Sequence, residues 1–67
     1  MPEITYFLRF THYDTGECEE QEHLTAEAAW QAFRLFAEPA SFEIYSRVEL
    51  VEYSYAEHEE AQLTFLA

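Results

Sequence analysis

The chain has no lysine, one glycine, one cysteine and two prolines among its 67 residues. A single cysteine excludes an internal disulfide and every metal motif that needs several cysteines. A single glycine excludes the glycine-rich loops that hold phosphate groups. No apolar run approaches the roughly 20 residues that span a bilayer, and the first residues lack the pattern of a signal peptide. These absences predict a cytoplasmic protein that has no contact with a membrane.

Acidic residues dominate the charge. Asp and Glu number 14 against three basic residues, Arg9, Arg34 and Arg47, which gives a net charge of −11. Because binding to nucleic acid needs several cationic side chains at the phosphates, we expect no direct contact with DNA or RNA. A basic protein partner would complement the charge, although extra carboxylates also serve solubility alone.

Aromatic residues make up 18% of the chain and apolar residues 49%. A domain of this size buries only about 60% of the surface of its unfolded chain. Aromatic rings bury about 150–250 Å² each, however, so a compact core is expected without a cofactor or a metal ion. The composition therefore predicts a single domain over residues 1–67.

The first 22 residues predict a β-hairpin. Residues 4–12 alternate with a period of two, which is typical of a strand with one buried face. Asp14-Thr15-Gly16 predicts a three-residue hairpin loop with glycine at a left-handed position. The second strand, about Glu17 to Glu22, is so acidic that it predicts a sheet edge. The residues expected to face the core from the first strand are Ile4, Tyr6, Leu8 and Phe10.

A helix and two further strands follow. Thr25 is a suitable N-cap, and apolar residues at helical spacing continue to Ala37, where Pro39 prevents extension. Alternation from Phe42 to Tyr53 predicts a long third strand whose inward set includes Ile44 and Ser46. The acidic residues 57–60 predict a solvated loop, and Ala61 to Leu66 a short closing strand.

This element order predicts an α+β fold, ββαββ, with a four-stranded antiparallel sheet and one helix packed on one face. The first and third strands are the most apolar, which favours the strand order 2-1-3-4. The order 2-1-4-3 stays open if the last strand is more buried than its sequence suggests.

One helix covers one face of such a sheet, and we call the opposite face the open face. The mixture of aromatic and cationic residues expected there is typical of the centre of a protein interface. An ordinary exposed sheet face rich in strand-forming tyrosines is an equally good interpretation. A second copy of the chain is one candidate occupant. The predicted interface residues are Phe7, Arg9, Tyr45, Arg47, Val51 and Tyr53.

Motifs for catalysis and metal binding are weak. Asp14-Thr15-Gly16 matches the tripeptide of aspartic proteases, but the turn interpretation is far stronger because Asp-x-Gly is common hairpin chemistry. His12, Cys18 and His23 could approach one another across the hairpin, yet nothing in their spacing supplies a fourth zinc ligand. The glutamates around Cys18 disfavour a reactive thiolate. We therefore expect no enzyme activity, no metal ion and no cofactor.

The acidic residues themselves give a second functional hypothesis. Carboxylates on one face of a strand repeat every ~6.6–6.8 Å, close to the ~7 Å spacing of DNA phosphates. The protein could thus inhibit a nucleic-acid enzyme, of the restriction or CRISPR type, by imitating DNA, although most such charge is simply solvated. The predicted acidic surface consists of Glu17, Glu19, Glu20, Glu22, Glu57, Glu59 and Glu60.

Two stretches of the chain, residues 27–39 (EAAWQAFRLFAEP) and 46–53 (SRVELVEY), carry a family resemblance. They resemble small acidic uncharacterised proteins of bacterial conjugative transposons. The resemblance implies a cytosolic accessory protein of a mobile genetic element and transfers no site residue. The leading hypothesis is a non-enzymatic protein-interaction module that uses the open face and the acidic edge.

Overall fold

The computed structural model describes residues 3–36 and 44–66 and contains one four-stranded antiparallel sheet with one helix. The strand order is β2-β1-β3-β4, so the ββαββ fold and the order 2-1-3-4 are confirmed. No described helix is long and apolar enough to cross a membrane. The elements are β1 (Ile4–His12), β2 (Cys18–His23), α1 (Ala26–Phe36), β3 (Tyr45–Ser54) and β4 (Glu59–Leu66).

The core lies between the helix and the two central strands. Leu8 of β1 pairs with Leu50 of β3, and both are fully buried. Two residues further along β1, Phe10 pairs with Val48, and its ring stacks on Phe36 of the helix with centroids 4.8 Å apart. These pairs alternate with residues of the open face, because successive side chains of a strand point to opposite sides.

The helix starts as its sequence predicts. Thr25 caps it, since its hydroxyl accepts a hydrogen bond from the backbone N–H of Ala28 at 3.2 Å. Its carbonyl accepts the N–H of Ala29 at 3.1 Å, the first bond of the helix. Ala29 and Phe33 are buried one turn apart against the sheet. The predicted end of the helix at Ala37, before Pro39, lies outside the described residues.

The first hairpin has the expected turn chemistry but a loop one residue longer than predicted. His12 donates its N–H to the carbonyl of Glu17 at 2.8 Å, and Gly16 donates to the carbonyl of His12 at 2.9 Å. Gly16 has a φ of 74°, which favours a residue without a side chain. β2 follows one residue later than predicted and forms the exposed edge, which confirms its placement there.

A bulge at the start of β3 corrects the predicted face of one interface residue. Thr11 pairs with Arg47, but His12 pairs with Tyr45, so Ser46 has no partner on β1. The extra residue reverses the alternation and turns Tyr45 to the helix side, where its ring lies 5.0 Å from that of Phe10. The prediction that Tyr45 lies on the open face is therefore wrong.

Other predictions for the third strand also change at its start. Ile44, expected to face the core, precedes the strand and is 55% exposed. Ser46, expected on the same inward face, is exposed at the bulge. Phe42 and Glu43 of the predicted strand lie outside the described residues. The regular alternation therefore begins only at Arg47.

A second bulge lies in the edge strand β4. Leu50 pairs with Thr64 but Val51 pairs with Gln62, which leaves Leu63 unpaired on β4. The strand begins at Glu59, so Glu59 and Glu60 belong to the ladder and the prediction that they lie in a loop is wrong. The turn itself is confined to residues 55–58 and includes His58 with a φ of 54°.

Replacing the N-cap tests how far local capping stabilises this small fold. We expect Thr25→Ala to lower the free energy of unfolding by about 1 kcal/mol, because the N–H of Ala28 loses its acceptor. Thr25→Ser is the matched control and should retain most of the stability. Urea unfolding followed by far-ultraviolet circular dichroism measures both variants. Equal loss in the two variants would contradict the capping role.

Candidate functional site on the open face

The strand register determines which residues share the open face. Phe7 pairs with Val51 and Arg9 pairs with Glu49, in alternation with the buried pair Leu8 and Leu50. Five of the six residues predicted for the interface thus lie on this face, and Tyr45 does not. The edge strands add residues that the sequence analysis did not assign to the face. These added residues are Glu20 and Glu22 of β2 and Glu60, Gln62 and Phe65 of β4.

Arg9 is the centre of an ion-pair network that joins all four strands. Its guanidinium lies 3.4 Å from Glu20 on β2, 3.8 Å from Glu49 on β3 and 2.6 Å from Glu60 on β4. Partial burial lowers the pKa of Arg9, but hydrogen bonds and charges from Glu60 and Glu20 outweigh it and raise the pKa above its ordinary value. The arginine therefore stays charged and cross-links the sheet.

One end of the open face carries a cation over an aromatic ring. The guanidinium carbon of Arg47 lies 4.8 Å from the centroid of the Phe65 ring, a cation–π contact. Arg47 also lies 3.3 Å from Glu49, which accepts a further hydrogen bond from the amide of Gln62. Phe65 is nevertheless 48% exposed, so much of this aromatic surface stays open to solvent.

The other end of the face is aromatic. The ring of Tyr53 packs edge to face against Phe7 at 6.4 Å and against Tyr55 at 5.0 Å. Such arrangements match the positive edge of one ring to the negative face of the next. Tyr55 is 41% exposed, whereas Val51 beside this cluster is only 2% exposed. Because no described helix covers Val51, long neighbouring side chains must shield it.

Glu22 on the edge strand fixes the corner next to these rings. One of its oxygens, Oε2, accepts hydrogen bonds from the hydroxyl of Thr5 at 2.9 Å and from that of Tyr55 at 3.3 Å. Thr5 is fully buried, and its single hydroxyl proton is shared between this carboxylate and the carbonyl of His23 at 3.1 Å. Desolvation raises the pKa of Tyr55, and the charge of Glu22 and the bond to it raise it further. Tyr55 thus remains a donor at neutral pH.

The seven residues of the predicted acidic surface do not form one surface. Glu19 lies 2.9 Å from His12 on the helix side, while Glu20, Glu22 and Glu60 have the open-face partners given above. Among the described residues, Glu17, Glu57 and Glu59 have no side-chain partner. Glu17 follows the first turn and the other two adjoin the second turn, at opposite ends of the sheet.

The candidates for chemistry are dispersed. Asp14 is exposed in the hairpin turn. His23 pairs with Tyr6 near the start of β1, whereas His12 ends that strand, so the two histidines lie at opposite ends of the hairpin. Residues 3–36 and 44–66 contain no group of three side chains able to hold a metal ion and enclose no pocket among themselves. Because these side chains lie apart, the open face is the better candidate for a functional site.

The sequence does not predict that the closing strand β4 contributes Glu60, Gln62 and Phe65 to the open face. The alternation of the closing strand could have identified Phe65 as a surface aromatic. The contact of Glu60 with Arg9 spans 51 positions and depends on the register of two strand pairs, so no local pattern reveals it.

Comparison of the chain with protein-family models, curated proteins and solved structures finds no match.

Removing the two arginines of the open face should have unequal effects. Each substitution, Arg9→Ala or Arg47→Ala, removes one positive charge from a chain of net charge −11. Arg9→Ala leaves three carboxylates together and should lower the free energy of unfolding by about 2 kcal/mol. Arg47→Ala removes a contact that is about half exposed and should cost at most about 1 kcal/mol. Equal costs in urea unfolding would contradict the central role of Arg9.

The bond between Tyr55 and Glu22 has a titration signature. Since the charge of Glu22 raises the pKa of Tyr55, Glu22→Gln should lower that pKa towards its ordinary value. Glu59→Gln removes the same charge without touching the pair and serves as the control. Titration of the tyrosine ring-carbon resonances by nuclear magnetic resonance (NMR) reports each tyrosine separately. An unchanged Tyr55 pKa in Glu22→Gln would refute the contact.

Proposed function

We propose that the protein is a non-enzymatic interaction module that binds a protein partner through the open face. The observation that carries the proposal is the composition of this face, which combines exposed aromatic rings at both ends with a fixed ion-pair network at its centre. Phe65 is 48% exposed and Tyr55 is 41% exposed. Aromatic residues and arginine are enriched in the centres of protein interfaces.

Preorganisation supports this assignment. The described part of the face presents side chains that other side chains already hold in place: Arg9 by three carboxylates and Tyr53 by two rings. A surface whose side chains are ordered before binding loses less conformational entropy when a partner arrives. The face can therefore contribute binding free energy without a large rearrangement of the chain.

The edges of the sheet are poorer candidates than its face. β2 presents Glu19, Glu20 and Glu22 along one edge, and like charges oppose pairing with another acidic strand. β4 has Leu63 as an unpaired bulge residue, and a bulge interrupts the regular ladder that strand addition needs. Both devices are typical of edges protected against pairing. This leaves the face as the preferred route of association.

Imitation of DNA receives less support from the geometry. A mimic needs carboxylates that remain free to meet the cationic groups of an enzyme. Four of the seven candidate glutamates instead have charged or hydrogen-bonding partners within the chain. The three others lie at two opposite ends of the sheet and do not form a row along one strand. The interaction module is therefore the function that we favour.

Mutation of two aromatic residues of the open face, one half-buried and one exposed, tests the interaction module. We expect Tyr53→Ser combined with Phe65→Ser to reduce capture of the partner from host lysate at least about tenfold, the loss typical of two anchor residues. Capture is measured by quantitative mass spectrometry with the protein as bait. Tyr13→Ser is the matched control, because Tyr13 is 66% exposed in the first turn, away from the open face.

Salt separates the two candidate functions. Bait washed at roughly 0.5 M salt, where the Debye length falls to about 4–5 Å, should retain a partner held by aromatic contacts. A partner lost at that salt concentration, displaced by added DNA and insensitive to the double aromatic substitution would contradict the interaction module and favour the mimic. Circular dichroism of each variant verifies that the sheet remains folded.

A further inference from the structure

We propose that the corner of the open face formed by Glu22, Tyr53 and Tyr55 receives an arginine side chain of a basic protein partner. This inference rests on the proposed function and specifies the chemistry of the partner. It combines a fixed carboxylate, two adjoining aromatic rings and the overall negative charge of the face. Each of these features favours a planar cation over a neutral or anionic group.

Glu22 has one oxygen committed and one available. Both hydrogen bonds, from Thr5 and from Tyr55, reach Oε2, and no described residue donates to Oε1. The hydroxyls of the buried Thr5 and of Tyr55 orient the carboxylate before any ligand arrives. A carboxylate held in this way can accept a charge-assisted hydrogen bond from a guanidinium, which is about twice as strong as a neutral one.

The rings beside Glu22 supply the second part of the site. Tyr53 and Tyr55 meet edge to face at 5.0 Å, and Tyr55 is 41% exposed, so part of this aromatic surface is open to solvent. The opposite end of the same sheet face already holds a guanidinium in this manner, because Arg47 lies 4.8 Å over Phe65. The Tyr53 and Tyr55 end has the aromatic surface but no arginine of the described chain over it.

Charge complementarity selects a cationic partner over a second copy of the chain. The described strands of the open face carry Arg9 and Arg47 against Glu20, Glu22, Glu49 and Glu60, so two positive and four negative charges leave a net charge of −2. Two copies packed face to face would bring these like charges together, in chains that each carry a net charge of −11. A basic partner is attracted to the same surface.

The probe for this site is hexa-arginine, with hexa-lysine as the comparison. Titration of the labelled protein with each peptide, followed by NMR, locates binding residue by residue. We expect hexa-arginine to shift the resonances of Glu22, Tyr53 and Tyr55 most strongly. It should bind at least about threefold more tightly than hexa-lysine, because guanidinium stacks on rings and bonds carboxylates in a planar fork.

Two charge-matched variants sharpen the test. Glu22→Gln keeps an oxygen acceptor for Thr5 and Tyr55 but removes the charge, and should weaken hexa-arginine binding about fivefold or more. Glu59→Gln removes the same charge from a residue that pairs with Ser54 on the other side of the sheet, and should change affinity less than about twofold. Tyr55→Leu removes a ring and should abolish the preference for arginine over lysine.

Equal binding of the two peptides, or shifts spread evenly over all glutamates, would overturn the proposal and indicate only general attraction to an acidic chain. Failure here is distinguishable from failure of the proposed function. If the double variant of Tyr53 and Phe65 still loses its lysate partner while hexa-arginine shows no site, the open face is an interface for a partner without a docking arginine. If neither measurement responds to substitution, both proposals fall.

Discussion

A single helix can shield only one face of a four-stranded sheet, and the rest of this small structure depends on how the other face is closed. The helix covers the side where Leu8, Phe10, Val48 and Leu50 are buried. On the other side Val51 is almost fully buried, and no described helix lies above it. Long side chains therefore have to form the second layer, and the ion pairs around Arg9 hold that layer together.

This second layer gives three of the 14 acidic residues a structural role. Glu20, Glu49 and Glu60 come from three strands and meet at one guanidinium, so the sheet is cross-linked along the direction in which strands would otherwise separate. Exposed ion pairs contribute little individually. Here the arginine side chain is only 28% exposed and serves three partners, which makes the network more than a sum of isolated surface pairs. The excess of carboxylates is thus partly structural.

The sequence predicts the elements well and the faces less well. Period-two alternation in residues 4–12 and the Thr25 cap are local signals, and the structure confirms both. Tyr45 shows where such reasoning stops, since one unpaired residue, Ser46, reverses the alternation and no residue type marks that bulge unambiguously. A bulge shifts the strand pairing by one residue, and this shift places the next side chain on the opposite face of the sheet.

The candidate site depends even more on long-range register. Arg9 and Tyr53 were predictable from alternation, but the corner of Glu22 and Tyr55 joins β2 to the end of β3 across β1. The carboxylates of this acidic chain therefore differ in the groups that they contact. Glu19 lies 2.9 Å from His12 and Glu20 lies 3.4 Å from Arg9, whereas the described contacts of Glu22 are the hydroxyls of Thr5 and Tyr55. That distinction, which only the fold supplies, is what singles out one corner of the open face as a receptor for a cation.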